Sequence, residues 1–169
     1  MASAKPVRRL IVNADDFGAS SSINHAVIQA HSNGILTTAS LMVNGDATEE
    51  AITLAREYPS LGVGLHLSLC FGKSTLHPSS IPTLVDSTGE FSRSPVLAGM
   101  KYFFSPTARE QLALEIEAQF AKFHATGLPM DHLNGHLHFH LHPAIFSILT
   151  PLLSPYGVKA MRLTYDPGL

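Results

Sequence analysis

Short apolar runs alternate with segments of helical periodicity along most of the chain. The run RLIVN at residues 9–13 predicts a buried strand, and residues 20–34 place apolar side chains at helical spacing up to a glycine. A second strand is predicted at residues 38–44, followed by a helix at residues 46–59 that ends at a proline. The pattern therefore predicts a repeating order of strand and helix.

The third predicted strand, residues 61–69, alternates strictly between two faces. One face is apolar, and the other carries His66 with small neighbours at Gly62, Gly64 and Ser68. These neighbours leave room around the imidazole, so His66 is a candidate site residue. A lone histidine on a strand is, however, more often a packed residue than a ligand.

The second half of the chain continues the alternation. A long helix is predicted from Pro106 to Gly127, then a strand at residues 130–134, a helix that begins at Pro143 and a last strand near residues 158–163. Strands joined through helices predict an α/β fold with a mostly parallel sheet, either open or closed as a (β/α) barrel. Five strands are too few to close such a barrel.

Residues 70–105 are rich in Ser, Pro and Gly and show no sustained period. A connection of this length without a pattern predicts a lid-like or substrate-binding insertion. We assign no fold to it from the sequence. The whole chain, residues 1–169, is expected to form a single domain that is incomplete at its C-terminal end.

Composition narrows the possible partners and surroundings. The formal net charge is −2 and the 11 Lys and Arg residues are scattered, which disfavours nucleic acid as a partner. The single cysteine, Cys70, cannot form an internal disulfide, and residues 1–10 lack the apolar core of a signal peptide. The apolar runs are too short to cross a bilayer. We expect a cytoplasmic protein, with peripheral membrane contact and a homodimer both left open.

The stretch HLNGHLHFHLHP, residues 132–143, contains five histidines. Alternate histidines on an extended segment would point the same way, so we expect His136, His138 and His140 to converge. An ordinary alternative is a polar surface tract. Four histidines elsewhere in the chain are predicted to lie on the surface, namely His25, His31, His77 and His124. Cys70 is predicted to be a buried small residue rather than a nucleophile.

Polar clusters lie on or directly after three predicted strands, and the carboxyl ends of parallel strands meet at one edge of a sheet. Two imidazoles and a carboxylate suit a catalytic divalent cation, whereas a structural zinc site usually has cysteine ligands. A second carboxylate could then act as general base on water. A pair of aspartates after a strand is otherwise a common turn or cap feature. The clusters are Asp15 and Asp16, His66, and the histidine run.

The motifs NADDFG, GLHLSL and HLNGHLHFH occur in this order, and with them the chain resembles the YdjC-like (ChbG-type) carbohydrate deacetylases over nearly its whole length. The resemblance implies a distorted TIM-type (β/α) barrel, a divalent metal (Mg or Zn), and removal of the N-acetyl group from an acetylated amino sugar. Position by position, Asp15 looks like the general base, and Asp16, His66 and His136 look like the metal ligands.

The chain departs from the family pattern at Asn134 and Gly135, where many members have Asp-Ser. The Asn-Gly-His sequence at this point is more similar to the hopanoid-biosynthesis-associated (HpnK-like) branch of the family, which implies a glycolipid substrate. Family members are usually longer than this chain.

The mechanism expected from the resemblance uses a metal-activated water as nucleophile and Asp15 as base. His138 is the candidate acid for the leaving nitrogen, chosen for its closeness in sequence to the proposed ligands. One rival hypothesis is another barrel metallohydrolase that binds metal through His136 and His138 and cleaves a phosphoester or cyclic amide. Another is a metal-binding protein without catalysis. A non-haem iron oxygenase is disfavoured by the strand–helix alternation.

Overall fold

The computed structural model describes residues 9–164, which form one parallel sheet with helices packed around it. Its four strands lie side by side in sequence order, which confirms the α/β prediction. The strands are β1 (Asn13–Phe17), β2 (Thr38–Leu41), β3 (Gly62–Leu67) and β4 (Leu133–Gly135). The sheet is not closed: the predicted fifth strand contributes only one parallel bridge, between Met161 and Leu133.

Five helices connect and cover the strands. Serine side chains cap three of them by accepting a hydrogen bond from the first turn, namely Ser20, Ser94 and Ser105. Ser105 followed by Pro106 begins the long helix as the sequence predicts. The helices are α1 (Ser21–Asn33), α2 (Thr48–Glu57), α3 (Pro95–Phe104), α4 (Pro106–Ala125) and α5 (Pro143–Leu153).

The two faces of the sheet differ in chemistry. Alternating residues such as Val63, Leu65 and Leu67 are buried in the hydrophobic core with apolar side chains from the helices. The opposite face of the sheet, the inner face, carries His66 and is polar, and neighbouring strands approach closely there. A methyl group placed on Gly64 would clash with the carbonyl oxygen of His132, the residue just before β4, and would lie 2.6 Å from its ring, so only glycine fits there without a shift.

Strand β1 lies four residues later than the predicted first strand, so Asp15 and Asp16 are inside the strand rather than after it. The register advances three residues in β1, from Ala14 to Phe17, while β2 advances two. This extra residue is a β-bulge, and Asp16 within it has a positive φ of 60°. Sequence patterning missed the shift because NADDF is too polar to read as a strand.

The insertion at residues 70–105 is folded, which the sequence did not predict. Antiparallel bridges join Lys73 to Glu90 and Val85 to Phe91, and helix α3 follows. The Tyr102 hydroxyl donates to the Leu69 carbonyl oxygen at 2.6 Å, which ties α3 to the end of β3. A role as a substrate lid stays a prediction. Within residues 9–164, no helix combines the length and apolar character needed to span a membrane.

Candidate metal centre

Asp16, His66 and His136 come together where β1, β3 and β4 end. Each offers one ligand atom, and these atoms all lie within 4.8 Å of one another. Asp16 lies in the bulge of β1, His66 on β3, and His136 directly after β4. The sheet therefore places together the three residues that the family resemblance implies as metal ligands.

The Asp16 carboxylate is the shared partner of both histidines. Its Oδ1 lies 2.9 Å from Nδ1 of His136 and 3.1 Å from Nε2 of His66. The hydrogen bond from His136 is the largest cause that holds the pKa of Asp16 well below its usual range, although burial opposes this. The same contact with Asp16 raises the pKa of His136 against the effect of burial. Asp16 is thus ionised and available as a ligand at neutral pH.

The environment of His66 fits a bound cation. Its ring is 1% exposed, and its Nδ1 lies 2.6 Å from the amide oxygen of Asn134. Since that oxygen only accepts, Nδ1 carries the hydrogen and, in the neutral ring, Nε2 presents a lone pair. This Nε2 is buried without a hydrogen-bond partner among the described residues and faces the Asp16 carboxylate. A lone pair beside a carboxylate suits a divalent cation between them.

Asp15 is held by a different set of donors. Arg162 binds both carboxylate oxygens, with nitrogen–oxygen distances of 2.7 and 2.8 Å. Asn134 and Asn13 each donate a side-chain amide hydrogen to Oδ1, at 2.9 and 2.8 Å. Burial raises the pKa of Asp15, but Arg162 and the other donors outweigh it, so the pKa lies below its ordinary value. Asp15 is an ionised acceptor, fixed in orientation and still partly open to solvent.

Asn134 and Arg162 are site residues whose roles the sequence did not reveal. The Asn134 side chain is fully buried, and its two amide atoms join the ring of His66 to the carboxylate of Asp15. Arg162 belongs to the short segment that pairs with β4. An isolated arginine in a predicted strand carries no motif signal, so only the fold reveals its contact.

The expectation that His136, His138 and His140 converge from an extended segment is wrong: the rings of His138 and His140 lie side by side, with centroids 6.1 Å apart, and of the three only His136 belongs to the cluster with Asp16 and His66. Leu137 and His138 have positive φ angles of 51° and 59°, so the segment His136–Leu141 consists of short 3-10 turns broken by a kink at these two residues instead of an extended strand. His140 is buried and donates from Nε2 to the Arg162 carbonyl oxygen at 3.0 Å. His138 is exposed and lies outside the three-residue cluster. Its role as an acid stays a prediction.

This chain is similar to a known protein family and to named relatives. A family model described as YdjC-like protein matches residues 9–168. A carbohydrate deacetylase of Brevibacillus brevis is 41% identical over 89% of this chain and 57% of its own length. A chitooligosaccharide deacetylase of Serratia marcescens is 34% identical over 88% of this chain and 57% of its own. The chain thus spans less than two thirds of the length of these relatives.

A solved structure supports the fold assignment. A protein from Enterococcus faecalis V583, provisionally described as a cellobiose-phosphate cleavage protein, superposes with a TM-score of 0.80 at 26% identity. The superposition covers 94% of this chain and 60% of that protein. The match of the family model over almost the whole sequence, together with these relatives, shows that the chain belongs to the YdjC-like protein family.

Proposed function

We propose that the chain carries the strand-end site of a metal-dependent deacetylase, which removes the N-acetyl group from an acetylated amino sugar in an oligosaccharide or glycolipid. The observation that carries the proposal is the buried Nε2 of His66, which has no hydrogen-bond partner among the described residues and lies 3.1 Å from the Asp16 carboxylate. The relatives named carbohydrate and chitooligosaccharide deacetylases supply the substrate class. A hopanoid-type lipid substrate, a cytoplasmic location and a homodimer are further predictions.

Asp16, His66 and His136 would hold the cation. When bound, a divalent cation such as Mg or Zn supplies polarisation of the acetamide carbonyl and activation of a water molecule. The ligand set of two imidazoles and one carboxylate leaves positions open for water and substrate. Asn134 keeps the His66 ring in the tautomer whose Nε2 faces the cluster.

Asp15 would take the proton of the attacking water. Its carboxylate is ionised, and the two hydrogen bonds from Arg162 fix the direction of its oxygens. In the hydrolysis the water oxygen forms a bond to the acetyl carbon, the carbon–nitrogen bond breaks, and the amine nitrogen gains a proton. The products are acetate and a free amine. We assign the donation of that proton to His138, which lies on the exposed turn two residues after His136.

Metal stoichiometry tests the centre directly. We expect one ion per chain in the wild-type protein and none in Asp16→Ala or His136→Ala, whereas Asp15→Asn keeps the ion and loses acetate release from N-acetylglucosamine oligomers. Several weakly bound ions that Asp16→Ala leaves in place would favour metal binding without catalysis. Loss of the ion in His138→Ala would favour the phosphoester or cyclic-amide hydrolase.

The assignment of His138 needs its own variant. His138→Gln should keep the ion and lower kcat by about 10²-fold or more, because a positioned acid contributes about 10²–10⁴-fold. An unchanged kcat would remove His138 from the mechanism.

A further inference from the structure

Phe71 lies in a strained turn directly beside the metal cluster. It follows β3 by four residues and has a positive φ of 59°, a conformation that a bulky side chain rarely adopts. Strained residues cluster at functional sites, where the surrounding structure holds them. The observed angle therefore calls for a functional explanation of this residue.

The surrounding structure fixes the Phe71 backbone on both sides. Its N–H donates to the Ser92 carbonyl oxygen at 3.1 Å, and its carbonyl oxygen accepts from the Ser68 hydroxyl at 3.2 Å. Gln119 of α4 in turn binds both the N–H and the carbonyl oxygen of Ser68, at 3.0 and 2.7 Å. Buried polar contacts from α4 and the insertion thus keep the turn in place.

The Phe71 ring is partly open to solvent even though the chain around it is buried. Leu69 and Cys70 have no exposed surface, whereas Phe71 is 36% exposed. Its ring centroid lies 6.1 Å from that of His136, with the planes at 77°. The structure therefore holds an exposed aromatic surface next to a proposed metal ligand.

A small cavity of about 170 Å³, with both apolar and polar side chains in its lining, lies in the same region of the sheet edge. Residues that follow β1 and β2 line it, together with Ser68 and Gly72 from the Phe71 turn. Charged and amide side chains also contribute donors and acceptors, namely Asn44, Asp46, Lys73 and Glu90. It is smaller than the roughly 300–1,000 Å³ of sites for drug-sized ligands, so it suits one small hydroxyl-rich ring.

We propose that Phe71 forms the aromatic wall of the sugar site, against which one pyranose ring lies with its apolar C–H face. The hydroxyl groups of that ring, or of the next one, would bind in the cavity through residues such as Asn44 and Lys73. The wall and the cavity together recognise a ring with an apolar face and a polar rim, which is the chemistry of a sugar. This inference deepens the proposed deacetylase function and rests on it.

The variant Phe71→Gly tests the wall because it removes the ring and relieves the positive φ at the same time. For a chitooligosaccharide substrate we expect KM to rise about ten-fold while kcat stays within about three-fold, since the ring contacts substrate and transition state equally. The ion should stay at one per chain, and the urea midpoint should not fall. Phe71→Tyr should keep KM close to the wild-type value, and Phe104→Ala, which removes an aromatic ring on α3 with 71% exposure, serves as a matched control.

Calorimetric titration with N,N′-diacetylchitobiose separates this inference from the deacetylase proposal. Binding that weakens about ten-fold in Phe71→Gly supports the wall even if the wild-type chain releases no acetate. Turnover with an unchanged KM in Phe71→Gly overturns the wall and leaves the deacetylase in place. Loss of the ion in that variant would mean that the ring only supports His136, which overturns the wall. A wild-type chain that neither binds nor cleaves the sugar overturns both.

Discussion

The guanidinium of Arg162 binds both carboxylate oxygens of Asp15, a residue 147 positions earlier in the chain. The contact brings the segment after α5 back to the first strand, across the inner face of the sheet. It also makes Arg162 a positioning residue for the proposed base.

Removing Arg162 should impair catalysis without removing the metal. Arg162→Ala frees the Asp15 carboxylate to rotate, and a misplaced catalytic group can lower the rate by about 10²-fold. Arg162→Lys keeps the charge but cannot reproduce the paired hydrogen bonds, so its kcat should lie between that of the wild type and that of Arg162→Ala. Steady-state kinetics with metal analysis checks this, and a wild-type kcat in Arg162→Ala would contradict it.

Substitutions of Asn134 should separate its two contacts. Asn134→Leu removes the acceptor for His66, and loss of such a supporting contact lowers metal affinity by about 10–100-fold. Asn134→Asp keeps an acceptor for His66, so the ion should stay, although this side chain can no longer donate an amide hydrogen to Asp15. Competition with a metal-sensitive dye gives the affinities. Equal loss of metal in both variants would argue against the division.

Stability should fall as the pH drops below about 6.5, with His140 as one identified cause. Burial lowers the pKa of His140, so the unfolded chain takes up a proton first as the pH falls. In the folded chain Nε2–H already donates to Arg162, and Nδ1 is buried with no partner in the described part of the chain. The contribution of His140 to stability is thus fully present above its pKa in the unfolded chain, and it is lost as the pH falls toward its lower pKa in the folded chain.

His140→Gln can still donate to the Arg162 carbonyl oxygen but does not titrate. Urea unfolding at pH 7.5, 6.5 and 5.5 should show a flatter pH dependence in this variant than in the wild type. The difference isolates His140 from His132, whose pKa burial also lowers, and from His136, whose pKa is raised. Parallel curves for the two proteins would refute the assignment.

Two substitutions of glycine by alanine should change the free energy of unfolding in opposite directions. Gly64→Ala places a methyl group 2.6 Å from the His132 ring and should cost about 1–3 kcal/mol of unfolding free energy. Gly99→Ala lies within α3, its nearest neighbour would be 3.8 Å away, and it should gain about 0.5–1 kcal/mol. Urea denaturation measures both. A lower stability of Gly99→Ala would show that helix propensity does not determine the effect of substitution at that position.

Residues at strand ends were predictable from the sequence, and their partners from distant segments were not. The clusters that contain Asp16, His66 and His136 were expected to meet because parallel strands end at one edge of a sheet, and the family resemblance selected these three residues as the metal ligands. Asn134 was visible only as a departure from the family wording. Arg162 reaches Asp15 through the fold, with no local pattern to indicate it.

Local conformation caused the other differences between expectation and structure. The left-handed residues Leu137 and His138 turn a segment that alternation predicts as extended. Helix α3 was missed because its apolar residues follow no clear stripe, although Ser94 and Pro95 carry the usual signal for a helix start.

The bulge in β1 lets the neighbouring carboxylates of Asp15 and Asp16 reach different partners. In a regular strand, Asp15 and Asp16 would point to opposite faces, and one of them would enter the apolar core. With the extra residue, Asp15 reaches Asn134 and Arg162 while Asp16 reaches His66 and His136. Deleting a single residue here would let β1 pair evenly with β2 and would leave one carboxylate for two roles. The proposed division between base and metal ligand thus depends on one extra residue in the strand.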